Sequence, residues 1–104
     1  MMLARNAESL FWIGRYVERA DDTARILDVA VHQLLEDATV DPDRTCRLAL
    51  QVLGMAEPPA DEELGVRSLT ERVAYGAEGS GSIADSIAQA RGNARGAREV
   101  TSSE

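Results

Sequence analysis

Lysine is absent, and all eleven basic residues of this 104-residue chain are arginine. That removes Schiff-base chemistry and the phosphate-loop lysine from the segment. The single cysteine, Cys46, cannot close an internal disulfide, and the single histidine, His32, has no serine or cysteine placed for it to activate. Aromatics are only 4% of the residues, so buried positions fall mostly to alanine and aliphatic side chains and the core is expected to be thin. Apolar runs such as Leu10 to Ile13 fall far short of the ~20 residues that cross a bilayer, and no charged leader precedes a long apolar stretch. Membrane and secretion are therefore not expected, and a reducing cytoplasm is the expected location. A net charge of -7 argues against a nucleic-acid partner, because no broad basic surface can form.

What the chain does have is alanine, leucine, arginine and glutamate, the residues that lose least on entering a helix. Leu10, Ile13, Val17, Ala20, Ala24, Leu27, Val31 and Leu34 recur at alternating steps of three and four, a helical seam. Asn6 is read as the N-cap of this helix, and Asp41-Pro42 opens a second one. Glu57-Pro58-Pro59 breaks the chain. Gly76, Gly79 and Gly81 close a third helix, and Ser82 with Asp85 has the capping-box pattern of a fourth. The spacing predicts helices over roughly 6–38, 42–56, 61–75 and 82–103. The fold class is all-α: residues 1–104 form one antiparallel bundle of four helices with a long N-terminal helix, read as the N-terminal part of a larger helical domain.

Two charge patterns stand out. On the first helix Arg19 lies among Tyr16, Thr23 and Ile26, so it is expected to be largely buried, hydrogen-bonded and in one network with Glu18. Arg15 with Glu18, and Asp22 with Arg25, can pair one turn apart as an exposed ladder. On the last helix Arg91, Arg95 and Arg98 form a row, beside a strip of Ala84, Ala88, Gly92 and Gly96. Interior glycines cost helix stability, so the strip is expected to pack closely on the first helix. The arginine row is expected either to stand in solvent or to face an acid, which would be Glu18, Asp22 or a bound carboxylate or phosphate. Glu18, Arg19, Asp22, Arg91, Arg95 and Arg98 are thus the candidate binding residues.

Asp28, His32 and Glu36 are spaced for a metal, but helix 1 adds no further histidine or cysteine, so no metal and no cofactor is expected. The glycines before the last helix have no preceding strand and no following lysine, so they read as a linker and not as a phosphate cradle.

The opening Met2-Leu3-Ala4-Arg5-Asn6-Ala7-Glu8-Ser9-Leu10-Phe11-Trp12-Ile13-Gly14-Arg15-Tyr16-Val17-Glu18-Arg19-Ala20 resembles the start of the bacterial alpha-E family, a helical domain named for a glutamate-arginine motif. Glu18-Arg19 matches that motif. Ser82-Ile83 through Ser86-Ile87, Ala90-Arg91, Asn93-Ala94-Arg95 and Arg98-Glu99 resemble a later block in the expected order. Members of that family are longer, which is why the chain is read as an N-terminal portion. The resemblance implies a setting in peptide synthesis or modification, with a circularly permuted ATP-grasp ligase and a transglutaminase-like protein as partners. ATP chemistry then belongs to the ligase and this chain docks or presents substrate, so no activity of its own is expected. The alternatives are a pocket of Glu18, Arg19, Arg91, Arg95 and Arg98 that binds a carboxylate or phosphate in amide-bond chemistry, and a homo-oligomeric structural bundle. The apolar arc of the first helix is wider than one seam requires, so a further covering surface is expected: missing helices, a second copy or the ligase.

Overall fold

The computed structural model describes the backbone of residues 2–102 and the side chains of residues 3–96. Four helices follow one another: α1 (Met2–Glu36), α2 (Pro42–Leu53), α3 (Val66–Tyr75) and α4 (Ile83–Ser102). The described residues contain no strand. Helix α1 begins ahead of Asn6, because Leu3, Ala4 and Arg5 are good helix formers and extend the helix past it. Asn6 is therefore an interior position and not a cap, and its Oδ1 is buried without a partner among the described residues.

Helix α2 opens as the sequence suggests, with Asp41 extended and Pro42 in the first turn, although the Asp41 side chain makes no capping bond. Its end is set by Gly54 at φ 70°, a left-handed conformation that closes the helix through Met55 N–H to Leu50 O at 2.9 Å. Helix α3 starts at Val66, five residues later than the sequence pattern suggests. The segment before it is occupied elsewhere: Leu64 N–H donates to Asp43 Oδ1 at 2.9 Å, and Gly65 N–H to Ser68 Oγ at 2.9 Å.

The helices gather at two ends of α1. Around its C-terminal half, Ile26, Leu27, Ala30 and Leu34 meet Cys46, Ala49, Leu50 and Leu53 of α2 and Leu69 and Val73 of α3. Leu50, Leu69 and Val73 are fully enclosed and anchor this core. From Gly81, beside Arg19, α4 doubles back along the N-terminal half of α1 and forms the most extensive helix pair in the molecule. Buried Ala20 and Thr23 on α1 and Ser86 and Ala90 on α4 are all small, so the two backbones approach closely. The close approach uses a different side of α4 from the glycine strip: Ala88 and Gly92 are exposed, Gly96 is half-buried, and a Cβ at Gly92 or Gly96 would meet nothing within 4 Å.

A three-helix cluster at one end and a two-helix ribbon at the other make an elongated body of 60 × 24 × 17 Å. Its radius of gyration is 17.1 Å, against about 13 Å for a compact domain of this length. The ribbon has too few helices to enclose α1. The long seam is split there: Ile13, Ala20, Leu27 and Leu34 turn inward, while Leu3, Leu10 and Val17, seven residues apart, stay 83%, 65% and 55% exposed.

Candidate functional site

Arg19 lies where the two ends of the molecule meet. Its Nη2 donates to Leu53 O at 3.2 Å and to Gly81 O at 3.4 Å. Leu53 is the last residue of α2, whose terminal carbonyls have no partner inside the helix, so the guanidinium both satisfies one of them and sits at the negative end of the helix dipole. Gly81 precedes α4 at φ 82°, and a Cβ there would lie 2.5 Å from Arg19 Nη2. Glycine at this position leaves room for the arginine. One side chain thus ties α1, the end of α2 and the entrance to α4 together.

Arg19 is hydrogen-bonded as expected, but the expected burial is not found: the residue is exposed, with its head on a partly covered carbonyl of Leu53 and an exposed one of Gly81. Nor does it share a network with Glu18, whose carboxylate instead lies 3.8 Å from Arg15 in an exposed pair. Neighbouring residues on a helix point about 100° apart, and Arg19 is drawn toward α2 while Glu18 stays outside. The rest of the ladder also differs in detail. Arg25 pairs with Asp21 at 3.0 Å and not with Asp22, a full-turn spacing in place of a shorter one. His32 Nδ1 faces Asp28 O at 2.9 Å and the Asp28 carboxylate at 3.3 Å. Those contacts, the carbonyl first, hold its pKa above the usual imidazole value. No three metal-ligating side chains converge among the described residues.

The entrance to α4 is built around Asp85. Ser82 Oγ accepts from Asp85 N–H at 3.0 Å, the forward half of a capping box. The return half is replaced: the Asp85 carboxylate reaches past Ser82 and accepts from Gly79 N–H at 3.0 Å and Gly81 N–H at 2.9 Å. These bonds, Gly79's first and Gly81's next, with the Arg19 charge adding to them, depress the Asp85 pKa. The glycine linker does form an anion cradle, and the anion it holds is the chain's own carboxylate. Ser82 Oγ also donates to Gly76 O at 2.8 Å, closing the turn on the end of α3.

Above Arg19, a groove of about 280 Å³ runs between α1 and α2, with Arg15, Glu18, Arg19 and Asp22 along its α1 side and Val52 and Leu53 opposite. It continues past Ile26 and Val52 into an apolar groove of about 360 Å³ whose walls include Val29, Ala49 and Leu48. Three of the candidate residues, Glu18, Arg19 and Asp22, thus share one groove. Arg91 and Arg95 are exposed on α4 and do not line it, and the Arg98 side chain lies outside the described residues. The five-residue pocket expected from the sequence is not assembled in this groove.

Among the described residues, the arginine with the most extensive bonding is one that spacing does not single out. Arg47 is 18% exposed and donates from Nε to Asp43 at 3.0 Å, from Nη1 to Pro58 O at 3.0 Å, and from Nη2 to Pro59 O at 2.9 Å and Glu62 O at 2.7 Å. Glu57 is 3.6 Å away. In the sequence, Asp43 and Arg47 read as an ordinary one-turn surface pair. The double proline is the available clue: a segment that cannot be helical leaves its carbonyls unpaired, and a fork with five donors is suited to collecting them.

Comparison with known proteins agrees with the motif. A family model described as a predicted alpha-helical domain with a conserved ER motif matches residues 2–104. No curated protein and no solved structure matches significantly. No helix among the described residues is long and apolar enough to cross a membrane.

Proposed function

This chain belongs to the Alpha-E family, and on that premise we propose that it is a docking or substrate-presenting component of a bacterial peptide synthesis or modification system. Its partners in this reading are a circularly permuted ATP-grasp ligase and a transglutaminase-like protein, which carry the chemistry. The observation that supports docking is the outward half of the α1 seam. Leu3, Leu10 and Val17 form a stripe with heptad spacing on the ribbon, and Ile87 of α4 is also half exposed. A heptad stripe without a covering helix is suited to a helix from another protein.

Arg19 enters this reading as a structural residue. Its donors hold main-chain carbonyls of α2 and of the α4 entrance, so the arginine of the motif fixes the angle at which the ribbon leaves the three-helix cluster. A partner that recognises both parts needs that angle.

The test is direct binding of the purified chain to a circularly permuted ATP-grasp ligase from the same organism, followed by calorimetry. Binding in the micromolar range or tighter, at about -8 kcal/mol, weakened by Leu10→Asp or Val17→Asp, supports the proposal. Absence of binding at concentrations well above that range overturns it.

A further inference from the structure

The groove side of α1 carries an arrangement that the docking reading does not use. Exposed Phe11, Arg15, Glu18 and Asp22, followed by half-buried Ile26 at the edge of the core, recur at steps of three and four, with Arg19 beside Glu18. Their order is symmetric in position and opposite in sign about the Glu18–Arg19 pair. Arg15 and Asp22 lie equally far on either side of it, and so do Phe11 and Ile26. A surface with that order is complementary to itself when turned end for end.

We propose that the chain forms a two-fold dimer through this face, with the α1 helices antiparallel and the axis crossing α1 between Glu18 and Arg19. Arg15 then faces the partner's Asp22, Glu18 faces the partner's Arg19, and both contacts are repeated by the symmetry. The charges are available for this role. Arg15 has only the 3.8 Å contact to Glu18, Asp22 has no ion pair among the described residues, and both Arg19 hydrogen bonds use Nη2, which leaves Nε and Nη1 as donors. The quartet is neutral in a chain of net charge -7, so a second copy meets matching charges here and repulsion elsewhere.

The flanks fit the same operation. Helix α2 ends at Leu53 beside Arg19, and the groove it shares with α1 reaches no further toward the α1 N-terminus than Arg15, so the side of α1 beyond Arg15 is left for the partner's α2. Phe11, 58% exposed, is carried onto the partner's apolar groove beside Ile26 and Val52, where Val52 itself is 72% exposed. Aromatic anchors seated in an apolar groove and flanked by matched charges are the usual composition of a specific interface.

Sedimentation velocity on the whole chain over roughly 1–100 µM tests the proposal, since specific complexes of this kind dissociate in or below that range. The expected species has twice the mass of one chain. Arg15→Glu alone and Asp22→Arg alone each set like charges against each other and should weaken the dimer by about ten-fold or more. The two changes in one chain restore opposite charges across the axis and should recover the dimer. Neither residue contributes to the core or to the Arg19 clasp, and circular dichroism of each variant checks that the helices are intact. Val52→Asp should also dissociate the dimer, from the apolar side. A monomer at every concentration overturns the proposal, as does a dimer unaffected by the single changes or one that the double change fails to restore. Ligase binding is read on Leu10 and Val17 variants, so the two proposals fail separately.

Discussion

A charged side chain is worth what its partners make of it, and three residues illustrate the range. Arg19 is exposed, so Arg19→Ala should lower the unfolding free energy by roughly 1 kcal/mol, the scale of a cation at a helix C-terminus, and not by the several kcal/mol of a stranded buried ion. Gly81→Ala places a Cβ against the same guanidinium in a left-handed backbone, and should cost about 1–2 kcal/mol from the backbone alone. Both are measurable by urea titration. Asp85 gives a pH dependence. Its folded-state pKa is depressed, so its contribution is present above the unfolded value of about 3.9 and is lost as pH falls through the lower folded value. The stability gap between the wild type and Asp85→Asn should therefore be full at pH 7 and close progressively below about pH 4. An equal gap at pH 7 and pH 3 would contradict this. From sequence, Arg19 could be marked as an arginine in need of acceptors, but main-chain carbonyls leave no trace in residue order, and its surface position could not be derived. Arg47 was hidden for the same reason. Arg47→Ala should lower the melting temperature far more than Arg67→Ala, which removes only an exposed one-turn pair with Glu71.

Helices are set by local signals, and their faces by what is available to pack on. The four helices, the Pro42 start and the Ser82 cap were all legible, because each rests on backbone chemistry within a few residues, whereas the double proline suggests an end of α2 at about 56 and Gly54 stops it earlier. The packing face of α4 was not. Its glycine strip and its serine–alanine side are both small enough for close approach, and only the position of Arg19 and Asp85 at the helix entrance decides between them. Asp85 must reach the amides of Gly79 and Gly81, and that turns Ser86 and Ala90 onto α1. Gly92→Ala is thus expected to stabilise the protein by about 0.5–1 kcal/mol, since the added methyl meets nothing within 4 Å and the unfolded chain loses freedom. Calorimetric melting should show the increase. In contrast, Leu50→Ala removes an enclosed side chain from the three-helix cluster and should cost about 2–5 kcal/mol.

At the scale of the whole molecule, α1 serves two neighbourhoods that meet around Arg19 and the turn from α3 to α4. The split of its seam into inward and outward halves was beyond the sequence, which shows the period of an apolar stripe but not how many helices will be present to cover it. The two neighbourhoods also differ in when they can form. The contacts of α1 with α2 and α3 close over modest loops, whereas α4 must return across most of the chain to reach the N-terminal half of α1. During synthesis the three-helix cluster can therefore settle while the first turns of α1 still wait for a strand of chain that the ribosome has not released. For that interval Phe11, Trp12, Leu10 and Val17 stand next to nothing of their own, and whatever first meets them on the nascent chain, a chaperone or a neighbouring copy on the same message, meets the surfaces that the finished protein keeps exposed.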